Sequence, residues 1–359
     1  MKRVLILANS DLVVYNFRLE LVERLVNDGN QVIIACPYGE RIDLLVDIGC
    51  QYIKTEVSRH GKNPFKDLKL LSAYKKTLKE LKPDIVFAFT VKPNVYGGMA
   101  CKKYKIPFVA NVTGLGDAVE NGGLLQKITL FLYKLGLKKA KCVFFQNESN
   151  LDFFTKKKIV RDNAVLLPGS GVNLQRFTLE DYPQTETTNL VFVGRVIKDK
   201  GVNELANVFK KLLCREDIRL TVVGDVEFGT TNPFENLPNV TCAGFNKDVR
   251  PFLKDAHAIV LPSYHEGMAN VLLEASATGR AVLASNVSGC IETFDEGVSG
   301  FGFEAKDEQS LKDAIIRFAD LTLEEKRQMG LAGRKKVEEQ FDRRIVVGKY
   351  LEQIESLRQ

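Results

Sequence analysis

Two carboxylates that could accept hydrogen bonds from sugar hydroxyls, Glu266 and Glu274, stand eight positions apart in the second half of the chain. An apolar run ending at Ser263 predicts a buried strand before them, and Gly267 permits close approach of the backbone to a ligand. We predict Asn270 as the N-cap of the next helix, whose open N–H groups can bind phosphate oxygens. Glu274 would lie about 6 Å further along that helix axis. Taken singly, each acid is more simply a surface carboxylate, so the hypothesis depends on the whole group.

A loop with two cations precedes this group in the sequence. The segment GRVIKDKG, residues 194–201, directly follows the apolar run LVFV. Gly194 permits a turn at the strand end, and Gly201 opens the following helix. Arg195 and Lys200 therefore leave the sheet at its carboxyl edge, where a forked guanidinium and a compact ammonium suit a diphosphate. A solvated charged loop could have the same composition, so this loop alone does not establish a site.

The strands and helices that must position these residues alternate along the whole chain. The strands are apolar on both faces, which is typical of parallel sheets covered by helices on both sides. The polar stretch TLEDYPQTETTN, residues 178–189, interrupts the pattern and predicts a linker. Strands are predicted at Val4–Ala8, Gln31–Ala35, Tyr52–Thr55, Ile85–Phe89, Phe108–Asn111, Cys142–Phe145, Leu190–Val193, Arg219–Val223, Val240–Cys242, Ala258–Leu261 and Ala281–Ala284.

The predicted fold is α/β, with two Rossmann-like doubly wound domains that face each other across a cleft and bind ligands at the carboxyl ends of their strands. We predict a first domain over residues 1–180 and a second over residues 181–341. Helices are expected at Leu323–Gln340 and Asp342–Leu357. The last is long enough to cross back, which adds about residues 342–359 to the first domain.

Composition excludes several classes of protein. The 359 residues are 45% apolar and 27% charged, as in ordinary globular domains, and no apolar run is long enough to span a membrane. Seven cysteines without CxxC spacing argue against a disulfide framework or a zinc site and indicate a reducing, cytoplasmic compartment. Residues 1–180 carry 28 Lys and Arg against 17 Asp and Glu, so this half should contact something anionic. Nucleic acid is the weaker partner, because no basic repeat interleaved with aromatic residues is present.

The Glu266…Glu274 pair resembles the E-x7-E motif of the family 4 glycosyltransferases, and GRVIKDKG resembles that family's G-R-x-x-x-x-K-G loop. The likeness continues through LVFVGR, TVVGD, NVTCAGF, HEGMANVLLEASATGRAVLAS and GVSGFGF. In the first half, YNFRLELVERLVNDGNQV, TVKPNVYGG, NVTGLG and PGSGVNLQRF are similar to members that assemble bacterial capsule, exopolysaccharide and O-antigen units.

This resemblance implies a GT-B fold and the transfer of a hexose-type sugar from a nucleotide-sugar, with UDP as the expected nucleotide. The transfer would retain the anomeric configuration and would need neither a metal nor a cofactor. The acceptor would be a glycan or a polyprenyl-diphosphate-linked sugar in surface polysaccharide synthesis, bound by the first domain. The second domain would bind the donor.

The resemblance also implies a role for each matching residue. Arg195 and Lys200 would neutralise the departing diphosphate, Glu266 would contact hydroxyls of the transferred sugar, and Glu274 would hold the ribose. Further donor contacts are expected from Gly194, Gly267, Met268, Ala269 and Asn270 at the phosphates and from Gly244 and Phe245 at the base. Weaker candidates for contacts to the sugar or the acceptor are Ser10, Asn16, Lys92, Asn94 and Thr113.

Two segments depart from the family pattern. Asn9-Ser10-Asp11 stands where many relatives carry a glycine pair, and Thr113 stands where many carry a histidine. Because a threonine does no acid–base work at neutral pH, a histidine-dependent step is in doubt. No neighbouring side chain is an obvious covalent nucleophile, which favours substitution on one face of the sugar, with the leaving phosphate taking the acceptor's proton. Asp225 and Glu227 faintly resemble metal ligands, but a third ligand is missing.

A membrane contact is the preferred explanation of the basic half. Residues Leu124–Lys141 are helical in pattern, apolar and basic, as in helices that lie on anionic membranes, and a core helix with a solvated basic edge would also fit. The expected location is therefore cytoplasmic, at the inner face of the cell membrane. Two other functions remain open: a UDP-sugar epimerase of the same fold and a sugar-nucleotide binder without activity. The sequence does not name the sugar, the acceptor, the linkage or the oligomeric state.

Overall fold

The computed structural model describes residues 1–57, 63–114 and 123–357. Leu115 and Gly116 of the NVTGLG motif lie outside the described residues. The chain forms two compact units: one holds Met1–Ser170 and Arg344–Gln359, and the other holds Gly171–Arg343. Among the described residues we find no helix with the length and apolarity that a membrane span requires.

The first unit is a seven-stranded parallel sheet with strands in the order β3-β2-β1-β4-β5-β6-β7. Its order reverses direction between β1 and β4, which is the point where such sheets bind ligands. The elements are β1 (Arg3–Leu7), α1 (Asp11–Asn27), β2 (Gln31–Cys36), α2 (Ile42–Asp47), β3 (Gln51–Lys54), α3 (Pro64–Leu81), β4 (Ile85–Phe89), a π-helical turn (Pro93–Gly97), α4 (Gly98–Tyr104), β5 (Phe108–Val112), α5 (Gly123–Leu137), β6 (Cys142–Phe145), α6 (Glu148–Lys156) and β7 (Ala164–Leu166).

The second unit is a six-stranded parallel sheet with strands in the order β10-β9-β8-β11-β12-β13. Its order reverses between β8 and β11. The elements are β8 (Thr188–Val193), α7 (Val202–Lys211), β9 (Ile218–Val223), β10 (Val240–Gly244), α8 (Arg250–Asp255), β11 (Ala258–Leu261), α9 (Asn270–Ala277), β12 (Ala281–Ser285), β13 (Gly300–Phe303), α10 (Glu308–Ala319) and α11 (Leu323–Gln340), followed by the final helix α12 (Arg343–Glu355). Both units are therefore doubly wound α/β folds, as predicted.

Two separate helical layers cover the faces of the first sheet. Residues of α3, α4, α5 and α6 pack on one face in one buried apolar cluster. Residues of α1, α2 and α12 pack on the other face in a second cluster. Because the central strands β1, β2, β4, β5 and β6 are buried on both sides, each face needs such a cover.

The final helix returns to the first unit, as predicted. Tyr350 of α12 is 1% exposed, and its ring centroid lies 5.1 Å from that of Phe87 and 4.8 Å from that of Phe144. Its hydroxyl accepts a hydrogen bond of 2.6 Å from Asn111 Nδ2 on β5. The aromatic contacts and the satisfied hydroxyl fix the helix on the sheet.

The boundary between the units lies at Ser170–Gly171, ten residues before the predicted boundary at 180/181. The predicted linker is instead part of the second unit, because Arg280 binds it. The Arg280 guanidinium is fully buried and donates to the carbonyl oxygens of Glu180 and Asp181 at 3.3 and 2.8 Å. It also donates to Leu253 O at 3.0 Å and Lys254 O at 2.8 Å on α8. The polar side chains of this segment predicted a linker. The segment is instead bound through its backbone carbonyl groups, and side-chain composition does not show whether a backbone carbonyl binds a buried arginine.

We expect Arg280→Met to destabilise the second unit by at least about 3 kcal/mol, since several buried carbonyl groups would lose their donor at about 1–3 kcal/mol each. Thermal unfolding monitored by circular dichroism would measure the change. Arg219→Met is the matched control, because Arg219 is exposed and donates to a single carbonyl, Pro238 O. Equal melting temperatures for both variants would contradict the anchoring role of Arg280.

Candidate active site

An ion pair spans the switch point of the second sheet. Lys200, from the loop after β8, binds Glu266 Oε1 in the loop after β11. Ser263 Oγ donates to the same Glu266 oxygen at 2.7 Å. The side chains of Lys200 and Glu266 are 24% and 14% exposed. Glu266 is therefore orientated by two donors, and the pair is still reachable from solvent. The Lys200 ammonium has three N–H donors, so it can bind a ligand as well as Glu266.

Local backbone geometry brings these two loops together. Gly201 has φ +67°, and a Cβ there would collide with the Pro262 carbonyl, so only glycine fits. The Tyr264 amide donates to Asp199 O at 2.9 Å, and the Tyr264 hydroxyl donates to Glu204 Oε1 on α7 at 2.7 Å. These contacts hold the loop with Lys200 against the loop with Glu266.

The start of α9 differs from the prediction. The helix begins at Asn270 itself and its N-cap is Ala269, so Asn270 is not the cap. The Ala269 amide donates to Gly289 O at 2.8 Å, and the Asn270 amide donates to Met268 O at 2.9 Å. Those two amides are therefore already bonded in this structure. What Asn270 offers instead is its side-chain Oδ1, which is buried without a hydrogen-bond partner among the described residues.

Glu274 lies one turn into α9, and its carboxyl group is surrounded by protein although the residue as a whole is partly exposed. This desolvation raises the pKa of Glu274 to about 7, against the opposing effect of Arg343 and Arg176 nearby. Gly279, with φ +80°, follows the end of the helix. The carboxyl group is thus poised to change protonation near neutral pH.

A groove of about 450 Å³ runs beside this site, along the carboxyl ends of β8, β9 and β10. Its wall contains Gly194, Arg195 and Phe245, and the Phe245 side chain is 64% exposed. A Cβ at Gly224 would collide with the Gly194 carbonyl, so the two strand ends can approach only because residue 224 is glycine. The exposed ring and the guanidinium offer one flat apolar surface and one cation to a ligand.

Two family models match the chain, one on each half. The model described as Glycosyl transferase 4-like matches residues 3–147, and the model described as Glycosyl transferases group 1 matches residues 187–320. The chain is a family 4 glycosyltransferase.

Three bacterial transferases are similar to this glycosyltransferase over much of their length. The Campylobacter jejuni N,N'-diacetylbacillosaminyl-diphospho-undecaprenol alpha-1,3-N-acetylgalactosaminyltransferase is 29% identical, over 97% of each chain. The Staphylococcus aureus capsular polysaccharide glycosyltransferase CapM is 28% identical, over 78% of this chain and 80% of its own. The Escherichia coli UDP-Gal:alpha-D-GlcNAc-diphosphoundecaprenol alpha-1,3-galactosyltransferase is 28% identical, over 71% of each chain.

Solved structures establish the fold of this glycosyltransferase as GT-B. Anabaena HepE, crystallised with UDP and glucose, superimposes with a TM-score of 0.82 at 17% identity, over 99% of this chain and 100% of its own. A Rickettsia africae glycosyltransferase superimposes with a TM-score of 0.81 at 20% identity, over 99% and 98% of the two chains.

The five weaker candidates in the first unit of the glycosyltransferase have different environments. Ser10 is 2% exposed and accepts from Leu12 N at 3.1 Å as the N-cap of α1, so its side chain has a structural task. Asn94 is fully buried and its Nδ2 donates to Asn111 O at 2.8 Å, while its Oδ1 has no hydrogen-bond partner among the described residues, so its contact to a ligand stays a prediction. Asn16 is exposed on α1, Thr113 is partly exposed after β5, and Lys92 is paired with Asp67 at 2.7 Å.

Sequence reasoning missed two residues that flank the switch point of the first sheet. Asn9 follows β1 and Thr90 follows β4. Within the described residues, Asn9 Oδ1 and Thr90 Oγ1 are buried without a hydrogen-bond partner. Thr90 also has φ +75°, a strained value that is rare for a branched residue and recurs at functional sites. The position directly after a strand was the available signal. Ser263, which orientates Glu266, was likewise missed in the same kind of position.

Proposed function

We propose that this glycosyltransferase moves a hexose-type sugar from a UDP-sugar to a polyprenyl-diphosphate-linked glycan in bacterial surface polysaccharide synthesis. The observation that carries the donor half is the Lys200–Glu266 pair, which spans the switch point of the second sheet beside the 450 Å³ groove. Relatives named for UDP-galactose and for undecaprenyl-diphosphate acceptors support the choice of donor and acceptor.

We assign the groove with Phe245 to the base and Glu274 to the ribose hydroxyls. Arg195 on the groove wall and Lys200 then supply positive charge to the two phosphates. Glu266 Oε2 accepts a hydrogen bond from a hydroxyl of the sugar, since both protein donors bind Oε1. Asn270 Oδ1 accepts another hydroxyl group of the donor. Because two amides of the α9 start are already bonded, the phosphates depend more on the two cations than on that helix.

The proposed chemistry retains the anomeric configuration and uses no metal. The bond from the sugar C1 to the β-phosphate oxygen breaks, and the acceptor hydroxyl oxygen bonds to C1 on the same face. The acceptor's proton passes to the departing phosphate oxygen. The cations are held in place by the protein, so they stabilise the negative charge that grows on that phosphate without having to move.

Incubation with UDP-sugars and a polyprenyl-diphosphate-linked acceptor tests the proposal. We expect free UDP together with an acceptor extended by one sugar, whose anomeric proton coupling in NMR matches that of the donor. EDTA should leave the rate unchanged. Free UDP without a longer acceptor would contradict transfer, and an interconverted UDP-sugar without an acceptor would favour the epimerase.

We also propose that the enzyme works at the inner face of the cell membrane. Segment Leu124–Lys141 supports this, because α5 exposes Leu124, Ile128 and Phe131 at 75, 47 and 60% and exposed lysines follow them. A polyprenyl chain keeps its acceptor in the bilayer, so the first unit has to reach that surface.

A further inference from the structure

Charge in the first unit is divided between the two helical layers of its sheet. The layer of α3, α4, α5 and α6 carries ten lysines against four carboxylates. The opposite layer of α1, α2 and α12 carries seven carboxylates against five cations. The excess of positive charge in the first half of the chain is therefore a property of one side of one sheet, and only that side suits an extended anionic surface.

Two helices of the basic layer begin in the same unusual way. In α5, residues 123–128 (GLLQKI) contain no buried residue, although three of the six are leucine or isoleucine. In α3, residues 64–69 (PFKDLK) contain none either, and Phe65 and Leu68 are 80% and 62% exposed. Burial in each helix begins only afterwards, at Leu70 in α3 and at Thr129 in α5. Each start thus combines unpacked apolar side chains with lysine.

Both starts lie toward the carboxyl edge of the sheet. Asp67 of α3 binds Lys92 Nζ at 2.7 Å and the Tyr96 hydroxyl at 3.0 Å, and both partners follow β4. The chain leaves α5 at the opposite edge, where the Lys141 amide donates to Phe108 O at the start of β5. A helix of 15 residues is about 22 Å long, whereas a strand of five spans about 16 Å, so the start of α5 reaches the carboxyl edge or passes it.

We propose that the starts of α3 and α5 together form a docking surface for an anionic phospholipid bilayer, with Phe65, Leu68, Leu124 and Ile128 inserted and the lysines of the layer on the headgroups. The charge of the layer selects the bilayer over a protein partner, because the cations continue over α3, α4 and α5 with few acids between them. This surface deepens the proposed function and rests on it for the acceptor. It sets the carboxyl edge of the first sheet, where ligands bind, at the depth of lipid headgroups, so a lipid-linked diphosphate arrives there without leaving the bilayer.

Co-sedimentation of the full chain with phosphatidylglycerol vesicles tests the surface. Phe65→Ser/Leu68→Ser and Leu124→Ser/Ile128→Ser should each weaken binding, and the combined variant should lose about tenfold or more. Lys66→Glu/Lys69→Glu/Lys127→Glu should lose at least about fivefold for each lysine, given the contribution of one basic residue near such a surface. The matched control is Leu44→Ser/Val46→Ser, because these side chains are 38% and 44% exposed on α2 in the opposite layer.

Binding should fall with added salt and be weak on phosphatidylcholine. Wild-type binding by the combined serine variant, or equal losses in the α2 control, would overturn the docking surface. Turnover with an acceptor that lacks the polyprenyl chain separates this result from the proposed function. The combined variant should keep that turnover, because its substitutions lie outside the catalytic groups. If the wild type binds vesicles but transfers no sugar to either acceptor, the proposed function fails while the docking surface stands.

Discussion

Replacing Lys200 by alanine is expected to lower kcat by about 10²–10³, the usual cost of removing one preorganised group that stabilises transition-state charge. Lys200 lies at the switch point and already binds Glu266, so its ammonium is fixed before the donor arrives. The loss should appear in kcat more than in KM, because the phosphate charge grows as the sugar bond breaks. Steady-state release of UDP with a lipid-linked acceptor measures it.

Lys198 provides the matched control, since it is an exposed lysine in the same loop. Lys198→Ala should stay within about twofold of the wild-type kcat. The loss of kcat in the double variant Lys200→Ala/Glu266→Gln should not exceed the two single losses combined, because the two side chains act as one bonded pair. A kcat for Lys200→Ala equal to that of Lys198→Ala would exclude the proposed stabilisation of the diphosphate.

Affinity for the nucleotide-sugar is expected to fall about tenfold between pH 8 and pH 6. Burial raises the pKa of Glu274 to about 7, so at pH 6 the proton competes with the ribose hydroxyls for this carboxylate. The diphosphate of a nucleotide-sugar is esterified at both ends and does not titrate in this range. Isothermal titration calorimetry at several pH values would show whether affinity follows the ionised fraction of Glu274.

Glu274→Gln should bind the donor about 10- to 100-fold more weakly at pH 8 and should lose the pH dependence, since charge-assisted hydrogen bonds to the carboxylate disappear.

The stability of the free wild-type enzyme should depend on pH in the opposite sense: stability should fall as the pH rises, whereas donor affinity rises. A raised pKa means that the ionised carboxyl destabilises the fold above about pH 7 and ceases to do so as the pH falls to its ordinary range. Glu274→Gln should therefore raise the free energy of unfolding by up to about 3 kcal/mol at pH 8 and change it little at pH 4.5. An unchanged pH profile in the variant would assign the titration to another group.

The residues of the proposed donor site lie in single segments of the sequence. GRVIKDKG and the two glutamates contain the cations and carboxylates that we assign to the donor, and the apolar strands before them predicted their place near a sheet edge. Two strands escaped prediction, Ala164–Leu166 and Gly300–Phe303. The first is a three-residue edge strand, and glycine occupies alternate positions of the second, so neither contains a run of apolar residues long enough to be recognised.

Helix starts were harder, because their free groups depend on distant residues. Whether the Ala269 amide can reach a phosphate is decided by the carbonyl of Gly289, twenty residues later. The same holds for Asn94, a polar residue that looked available but points its amide at β5. Local sequence indicates which hydrogen-bonding groups a segment contains. Hydrogen-bond partners elsewhere in the fold determine which of these groups remain available to a ligand.

By itself, the sequence determined the α/β class, because that follows from local periodicity, and the length of the last helix predicted its return to the first unit. Residue types at the strand ends supplied the residues that we assign to the nucleoside diphosphate. Only the tertiary structure decided the unit boundary, through the carbonyl groups that Arg280 binds, and the pKa of Glu274, through its burial. It alone also placed the lysines of α3, α4 and α5 on one side of a sheet. Those properties arise from contacts between segments far apart in the chain, which no local pattern encodes.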